Sequence, residues 1–221
     1  MNTVNRLIEI RNKIPANVKI VAVSKTKPVE SIELLYNEAG QRLFGENKVQ
    51  ELESKHAVLP ADINWHFIGH LQTNKIKFIA PYAALIQSAD SYKLIREINK
   101  EGIKNNRVIP CLLQFHIAEE EAKYGFSFDE ASKMLDDNLF HELSNVSVQG
   151  VMGMATYTKD QAQISKEFKT LFNYFELLKS GYFTQQPGFC EVSMGMTDDF
   201  QLAIEEGSTI IRIGSGIFGI R

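Results

Sequence analysis

The chain has only two cysteines, Cys111 and Cys190, too few for a disulfide-built scaffold. Both lie in apolar strand-like runs and read as small core residues. No apolar run approaches the roughly 20 residues that cross a bilayer. The N-terminus, Met1 to Lys13, is amphipathic and lacks the apolar stretch of a secretory signal. Positive charge is not in surplus: the formal net charge is −3 with the signs interspersed, so the field that non-specific nucleic-acid binding needs is missing. No Pro/Ser-rich linker, low-complexity tract or composition shift marks a domain boundary within residues 1–221. Neither a G-x-S-x-G motif nor a Cys/His pairing points to a hydrolase. What remains is ordinary globular composition, 44% hydrophobic and 23% charged, in 221 residues, a usual size for a one-domain α/β barrel. A soluble cytoplasmic protein is expected, with no membrane or nucleic-acid partner.

A short β-branched run followed by an amphipathic segment recurs along the chain. Strands are predicted over Lys19–Lys25, Arg42–Asn47, Asn64–Gly69, Ala84–Asp90, Arg107–Ile117, Val146–Ala155, Phe189–Met196 and Thr209–Gly214. Between them, Val29, Ile32, Leu35 and Ala39 fall on one helical face, and Ile164, Phe168, Leu171, Phe175 and Leu178 make a buried stripe. Ser127-Phe128-Asp129-Glu130 has the form of a capping box. Gly40, Gly102, Gly181 and Gly207 stand where helices should stop. An extra helix, about Asn2–Lys13, precedes the first strand. Eight such units in one unbroken chain favour a closed (β/α)8 TIM barrel over an open sheet. The sequence runs out just past the last strand, so the eighth helix is expected to be missing or very short.

In such a barrel chemistry sits where strands end, and the unusual polar residues collect there. Lys25 closes the first strand, Glu46 and Asn47 the second, and His66 and His70 flank the end of the third. Ser88, Asp90, Gln114, His116, Thr156 and Tyr157 come on the next three, then Ser193 late in the seventh and Arg212, Gly214 and Ser215 in the eighth. Strand alternation aligns Val21, Val23 and Lys25 on the inner face. An amine above that apolar layer is partly desolvated, which favours the free base that attacks an aldehyde. A strand-end lysine reaching out to solvent accounts for its position equally well. Lys27 shares the parity but precedes Pro28, which suits a helix start, so it is the weaker candidate.

Gly214-Ser215-Gly216-Ile217-Phe218-Gly219 matches G-x-G-x-x-G, but that fingerprint needs a following helix and a further βα unit with an acidic residue, so no dinucleotide fold is expected. The same glycines can offer backbone N–H groups to a phosphate, the habitual ligand of the last two loops of this barrel, with Ser193 and Ser215 adding hydroxyls. Tight packing of a glycine-rich terminus is the plainer alternative. Arg212 shares parity with Gly214 and faces inward, where it needs an acceptor: either Glu191 on the neighbouring strand or a ligand. His66 and His70 lack the further ligands of a metal site.

These residues carry a family pattern. Val21-Ala22-Val23-Ser24-Lys25-Thr26-Lys27-Pro28, Phe44-Gly45-Glu46-Asn47 and Trp65-His66-Phe67-Ile68-Gly69-His70-Leu71-Gln72-Thr73-Asn74-Lys75 are followed by Gly150-Val151-Met152-Gly153-Met154, Ser193-Met194-Gly195-Met196 and Arg212 to Gly219. In this order, over nearly the whole chain, they resemble the pyridoxal phosphate homeostasis proteins, a family similar to the N-terminal domain of alanine racemase. The resemblance implies pyridoxal 5'-phosphate (PLP) as cofactor, held as an internal aldimine on Lys25. It places Ser193, Gly214 and Ser215 on the phosphate, Arg212 at the pyridine nitrogen, and Asn47 beside the ring. His66 belongs to the same site, with no role assigned to it. Two departures stand out: Thr197 occupies a position where the family usually has serine, and Ser215-Gly216 replaces a threonine and a larger residue.

An arginine at the ring nitrogen disfavours its protonation and weakens the electron sink. Related racemases use one too, so this feature alone does not decide. They also carry a second domain that supplies a catalytic residue, closes the site and builds the dimer, and no such domain is recognisable here. The expectation is therefore a monomeric, non-catalytic carrier of PLP, with no catalytic residues of its own, whose partners are PLP and PLP-dependent apo-enzymes. An amino-acid racemase using Lys25 as base, or a cofactor-free aldolase with a barrel lysine, are the alternatives. A second cofactor position, on Lys123 or another lysine, is left open by the sequence.

Overall fold

The computed structural model describes residues 2–119 and 124–219. Eight parallel strands run in chain order: β1 (Lys19–Val23), β2 (Leu43–Glu46), β3 (Asn64–Phe67), β4 (Leu85–Ala89), β5 (Ile109–Gln114), β6 (Val146–Met152), β7 (Glu191–Ser193) and β8 (Ile210–Ile213). Each pairs with the next and β1 pairs with β8, so the barrel closes and leaves no edge. Helix α1 (Thr3–Asn12) precedes the first strand. Helices α2 (Val29–Ala39), α3 (Val49–His56), α4 (Ile76–Ile79) and α5 (Tyr92–Lys104) come after β1 to β4 in turn. Then α6 (Phe128–Leu135) and α7 (Asn138–His141) come after β5, α8 (Gln161–Gly181) after β6, α9 (Phe200–Glu205) after β7, and α10 (Ser215–Phe218) after β8.

Strand alternation separates two cores. Val21, Leu85, Leu112, Met152 and Ile210 cluster inside the barrel. Their neighbours Ile20, Ala22, Ile86, Cys111, Leu113, Ile211 and Ile213 belong to the larger core shared with the helices. Gly45 makes room for the inner layer, since a Cβ there would lie 2.8 Å from Val21 Cγ1. The α8 stripe from Ile164 to Leu178 is buried as its spacing predicts. Asn2 caps α1, which packs beside α2 and α10 on the barrel's flank. The capping box on α6 forms, with Ser127 and Glu130 exchanging both bonds. The last strand is followed by a single turn, the short eighth helix expected.

Three local expectations change. Gly40 does end α2 in the left-handed conformation, φ 62°. Gly102, by contrast, lies inside α5, where a Cβ would meet Asn145 O at 2.5 Å, so it serves close approach rather than helix termination. Cys111 is buried, but Cys190 is exposed just before β7. Several strands are also shorter at their C-terminal ends than the apolar runs suggest, and that is where the site begins.

Candidate functional site

Val23 pairs with Gly45 and Ala22 with Ile213. The next positions along β1 therefore set Ser24 beside Glu46 and Lys25 level with Asn47, with the Gly214-Ser215 turn on the other flank. β1 ends at Val23 because Lys27 N–H donates to Ser24 O at 3.0 Å and turns the chain. Lys25 is consequently exposed in a turn instead of being the desolvated last residue of a strand. Its amine has no hydrogen bond or ion pair to any described residue. Lys27 reaches towards the chain end instead, donating to Gly219 O at 3.4 Å.

Below this rim, inward-facing side chains form one hydrogen-bonded line across the barrel. Arg212 Nη1 donates to Ser193 Oγ at 2.7 Å, and Ser193 Oγ donates to Gln87 Oε1 at 2.7 Å. Gln87 Nε2 then lies 2.8 Å from His66 Nδ1. Since Gln87 spends its oxygen on Ser193, its amide faces the imidazole, and the network assigns Nδ1 of His66 as an unprotonated acceptor. Burial, aided by the Lys19 charge, pushes the His66 pKa down to about 4, in keeping with a neutral ring.

Arg212 is the odd member. It is 4% exposed, and its guanidinium also donates to Gly153 O at 3.0 Å. Glu191, the carboxylate that strand parity offered it, is taken by Lys19 and Thr209. Burial lowers the arginine pKa to about 10 against the opposing charge of Asp199, so it stays a cation at neutral pH. A buried cation held by neutral acceptors alone has capacity for a further one.

At the end of β8, Ser215 Oγ and Gly216 N–H both donate to Thr197 Oγ1 at 3.2 Å. Two hydroxyls and a backbone amide thus converge on one spot. Ser193 is fully buried, and its hydroxyl is engaged as donor to Gln87 and acceptor from Arg212. The two sequence departures meet here, with Ile213 Cγ2 also 3.0 Å from a Cβ on residue 216. A Cβ on residue 216 would lie 3.1 Å from Thr197 Cγ2, the methyl that a serine would lack. Gly214 flanks β1, and a Cβ on it would lie 3.6 Å from Val23 O.

Asn47 is half-buried at the rim, and its Oδ1 is buried with no hydrogen-bond partner. Gly69 lets it sit there, because a Cβ at 69 would be 2.3 Å from Asn47 O. His70 turns away from His66 to pair with Asp90 at 3.0 Å and to stack on Tyr124 at 3.7 Å. Among the described residues no cluster of ligating side chains could hold a metal. Lys123 lies outside the described residues. Sequence reasoning missed Gln87, although a glutamine inside an apolar strand was a visible signal. It also missed Lys55, which interrupts the apolar stripe Val49, Leu52 and Leu59 of α3 and its exit.

The family model described as "Alanine racemase, N-terminal domain" matches residues 4–221. The pyridoxal phosphate homeostasis protein of Aquifex aeolicus is 39% identical over 204 residues, 92% of this chain and 87% of that protein. The protein of the same name from Haemophilus influenzae is 35% identical over 228 residues, 100% of this chain and 94% of its own. The chain belongs to the pyridoxal phosphate homeostasis protein family. A solved relative, PipY of Synechococcus elongatus, is 32% identical over 99% of this chain and 100% of its own. Its structure without PLP gives a TM-score of 0.92 and its structure with PLP bound gives 0.89. Alanine racemase from Bartonella henselae, 18% identical with a TM-score of 0.74, shares the fold, and this chain covers 58% of it. Among the described residues, no helix of this family member is long and apolar enough to cross a membrane.

Proposed function

We propose that the mouth of this barrel binds PLP and that the protein is a non-catalytic carrier that stores the cofactor and releases it to apo-enzymes. The observation that carries this is Arg212, a buried guanidinium on the barrel axis with no carboxylate bound to it among the described residues. The other groups fit the same ligand. Thr197, Ser215 and Gly216 supply hydroxyl and amide donors suited to a phosphate, Asn47 offers an unused buried oxygen, and Lys25 has an unpaired amine. Bound here, PLP supplies an aldehyde carbon open to an amine and a ring able to withdraw electrons.

The surrounding residues restrict the chemistry open to that ring. Arg212 would be the residue that holds the ring nitrogen side of the cofactor and, as a fixed cation, would disfavour a proton there. Ser193 Oγ and Gly153 O accept from the guanidinium and hold it in place. His66 stays neutral at the far end of the line, so no proton is driven towards Arg212 from that side. Lys25 provides covalent attachment, and its exposure leaves it open to solvent for release. This suits holding and unloading better than guarded proton abstraction.

Borohydride reduction of the protein supplied with PLP, followed by peptide mapping, tests the assignment. A phosphopyridoxyl group on Lys25, absent in Lys25→Ala, is expected. Label scattered over surface lysines would overturn it, and steady racemisation of an amino acid, lost in Lys25→Ala, would replace the carrier with an enzyme.

A further inference from the structure

The two residues flanking Lys25 are fastened to one ionic cluster centred on the buried Lys55 and Glu46. Lys55 of α3 is 4% exposed and donates to Ser24 O at 2.8 Å, Glu46 Oε1 at 2.7 Å and Glu51 Oε1 at 2.7 Å. All three ammonium protons are used, so Lys55 is an anchor and has no free N–H for a ligand. Ser24 Oγ also donates to Glu46 Oε1 at 2.7 Å, and the backbone N–H of Thr26 donates to Glu51 Oε1. Glu46 is fully buried, and burial raises its pKa against the pull of Lys55 and Ser24.

The backbone between these ties is strained. Thr26 has φ 62°, a left-handed conformation that a β-branched residue adopts only when its surroundings impose it. The bond to Glu51 is made by the amide of that residue. The peptide of Lys25 is thus held from its N-terminal side by Lys55 and from its C-terminal side by Glu51, while the side chain is left free. Fixing the backbone and freeing the amine is what presentation of a nucleophile requires.

We infer that the Lys55–Glu46–Glu51 cluster positions Lys25 for covalent capture of an aldehyde, in which the amine nitrogen replaces the carbonyl oxygen and that oxygen leaves as water with the two protons of the neutral amine, with Glu51 acting as a positioning residue through the Thr26 amide. This rests on the proposed role of Lys25, and it adds that capture is governed separately from non-covalent binding. Lys55→Met is a poor probe, because it leaves Glu46 as an unpaired buried carboxylate and threatens the fold. Glu51 is the better one, being partly exposed and leaving the Lys55–Glu46 pair intact.

The experiment compares wild type, Glu51→Ala and Glu51→Gln. It measures the rate of chromophore formation with PLP, and the affinity for 4'-deoxypyridoxine phosphate, which lacks the aldehyde and binds without a covalent bond. Glu51→Ala is expected to slow capture by about tenfold or more while leaving the analogue's affinity within about twofold, because a small misplacement of a reacting group is costly. Glu51→Gln, which keeps an oxygen for the Thr26 amide, is expected to restore most of the rate. Unchanged capture in Glu51→Ala, or equal loss of capture and analogue affinity, would overturn the inference. Failure of the wild type to react at Lys25 would instead remove the functional proposal beneath it.

Discussion

His66 shows how a single buried residue leaves a signature in the whole protein's stability. Its folded-state pKa lies at about 4, against an ordinary value of 6.5, because burial and the Lys19 charge oppose protonation. The unfolded chain therefore binds the proton more readily, and stability rises with pH across that window. The contribution is complete above about 6.5 and is lost as pH falls towards 4, by about 2–3 kcal/mol at pH 4.5. Urea unfolding at pH 7 and pH 4.5 should show wild type losing about that much more than His66→Gln, which cannot titrate. Equal losses in the two proteins would mean that His66 is not held neutral. At this scale the sequence was informative about residues whose type is odd for their place, such as Lys25, Asn47 and Arg212. It did not fix the partner of any of them. Parity offered Glu191 to Arg212 but carries no distance, and Lys19 on β1 claimed that carboxylate first. Ser193 reads as a phosphate ligand from its hydroxyl type, but sequence does not show that the same hydroxyl bonds Gln87 and Arg212.

Elements were more legible than their ends. Periodicity found all eight strands and the α8 stripe, since burial on one face leaves a regular mark in sequence. It could not show where a strand gives way to a loop, because apolar residues continue past the last ladder bond. β7 is three residues long inside a predicted run of eight, and β1 stops two residues short of Lys25. The seat of α10 on the loop after β7 shows what such ends decide. Here Gly216 and Thr197 share one space, with a Cβ at 216 lying 3.1 Å from Thr197 Cγ2 and 3.0 Å from Ile213 Cγ2. Gly216→Ala should therefore push the turn off Thr197 and weaken PLP binding, and Thr197→Ser should recover part of the loss by removing the methyl. A double-mutant cycle on PLP affinity should give a coupling of about 0.5–1 kcal/mol of that sign. Strict additivity would mean that the two departures from the family pattern are unrelated.

The whole barrel is closed unevenly. β5 and β6 share five paired positions, whereas β7 and β8 share one, Ser193 with Ile210. Backbone bonds from Thr209 N–H to Val192 O at 2.9 Å, Met194 N–H to Ile210 O at 3.2 Å and Arg212 N–H to Gly195 O at 2.9 Å cross that seam, and side chains add to them. Thr209 Oγ1 accepts from Val192 N–H at 2.8 Å, Ser208 Oγ donates to Met194 O at 2.8 Å, and Arg212 Nη1 reaches Ser193. The seam with the fewest paired positions is where a closed sheet is expected to open first. The proposed ligand would touch both of its sides, with Thr197 after β7 and Arg212 and Ser215 on and after β8, and would add β1 through Lys25. Binding should act there as a staple, by as much as about 2.7 kcal/mol at a free ligand concentration of about 100 Kd. Hydrogen exchange read by mass spectrometry, with and without PLP, is the direct check. Amides in residues 191–197 and 208–216 should gain protection on loading, and those of β4 and β5 should change little. Protection gained equally in every strand would show that the β7–β8 seam opens only with the rest of the barrel. Protection confined to residues 24–27 would reduce PLP to a label on one lysine and remove the phosphate and ring contacts from the binding site.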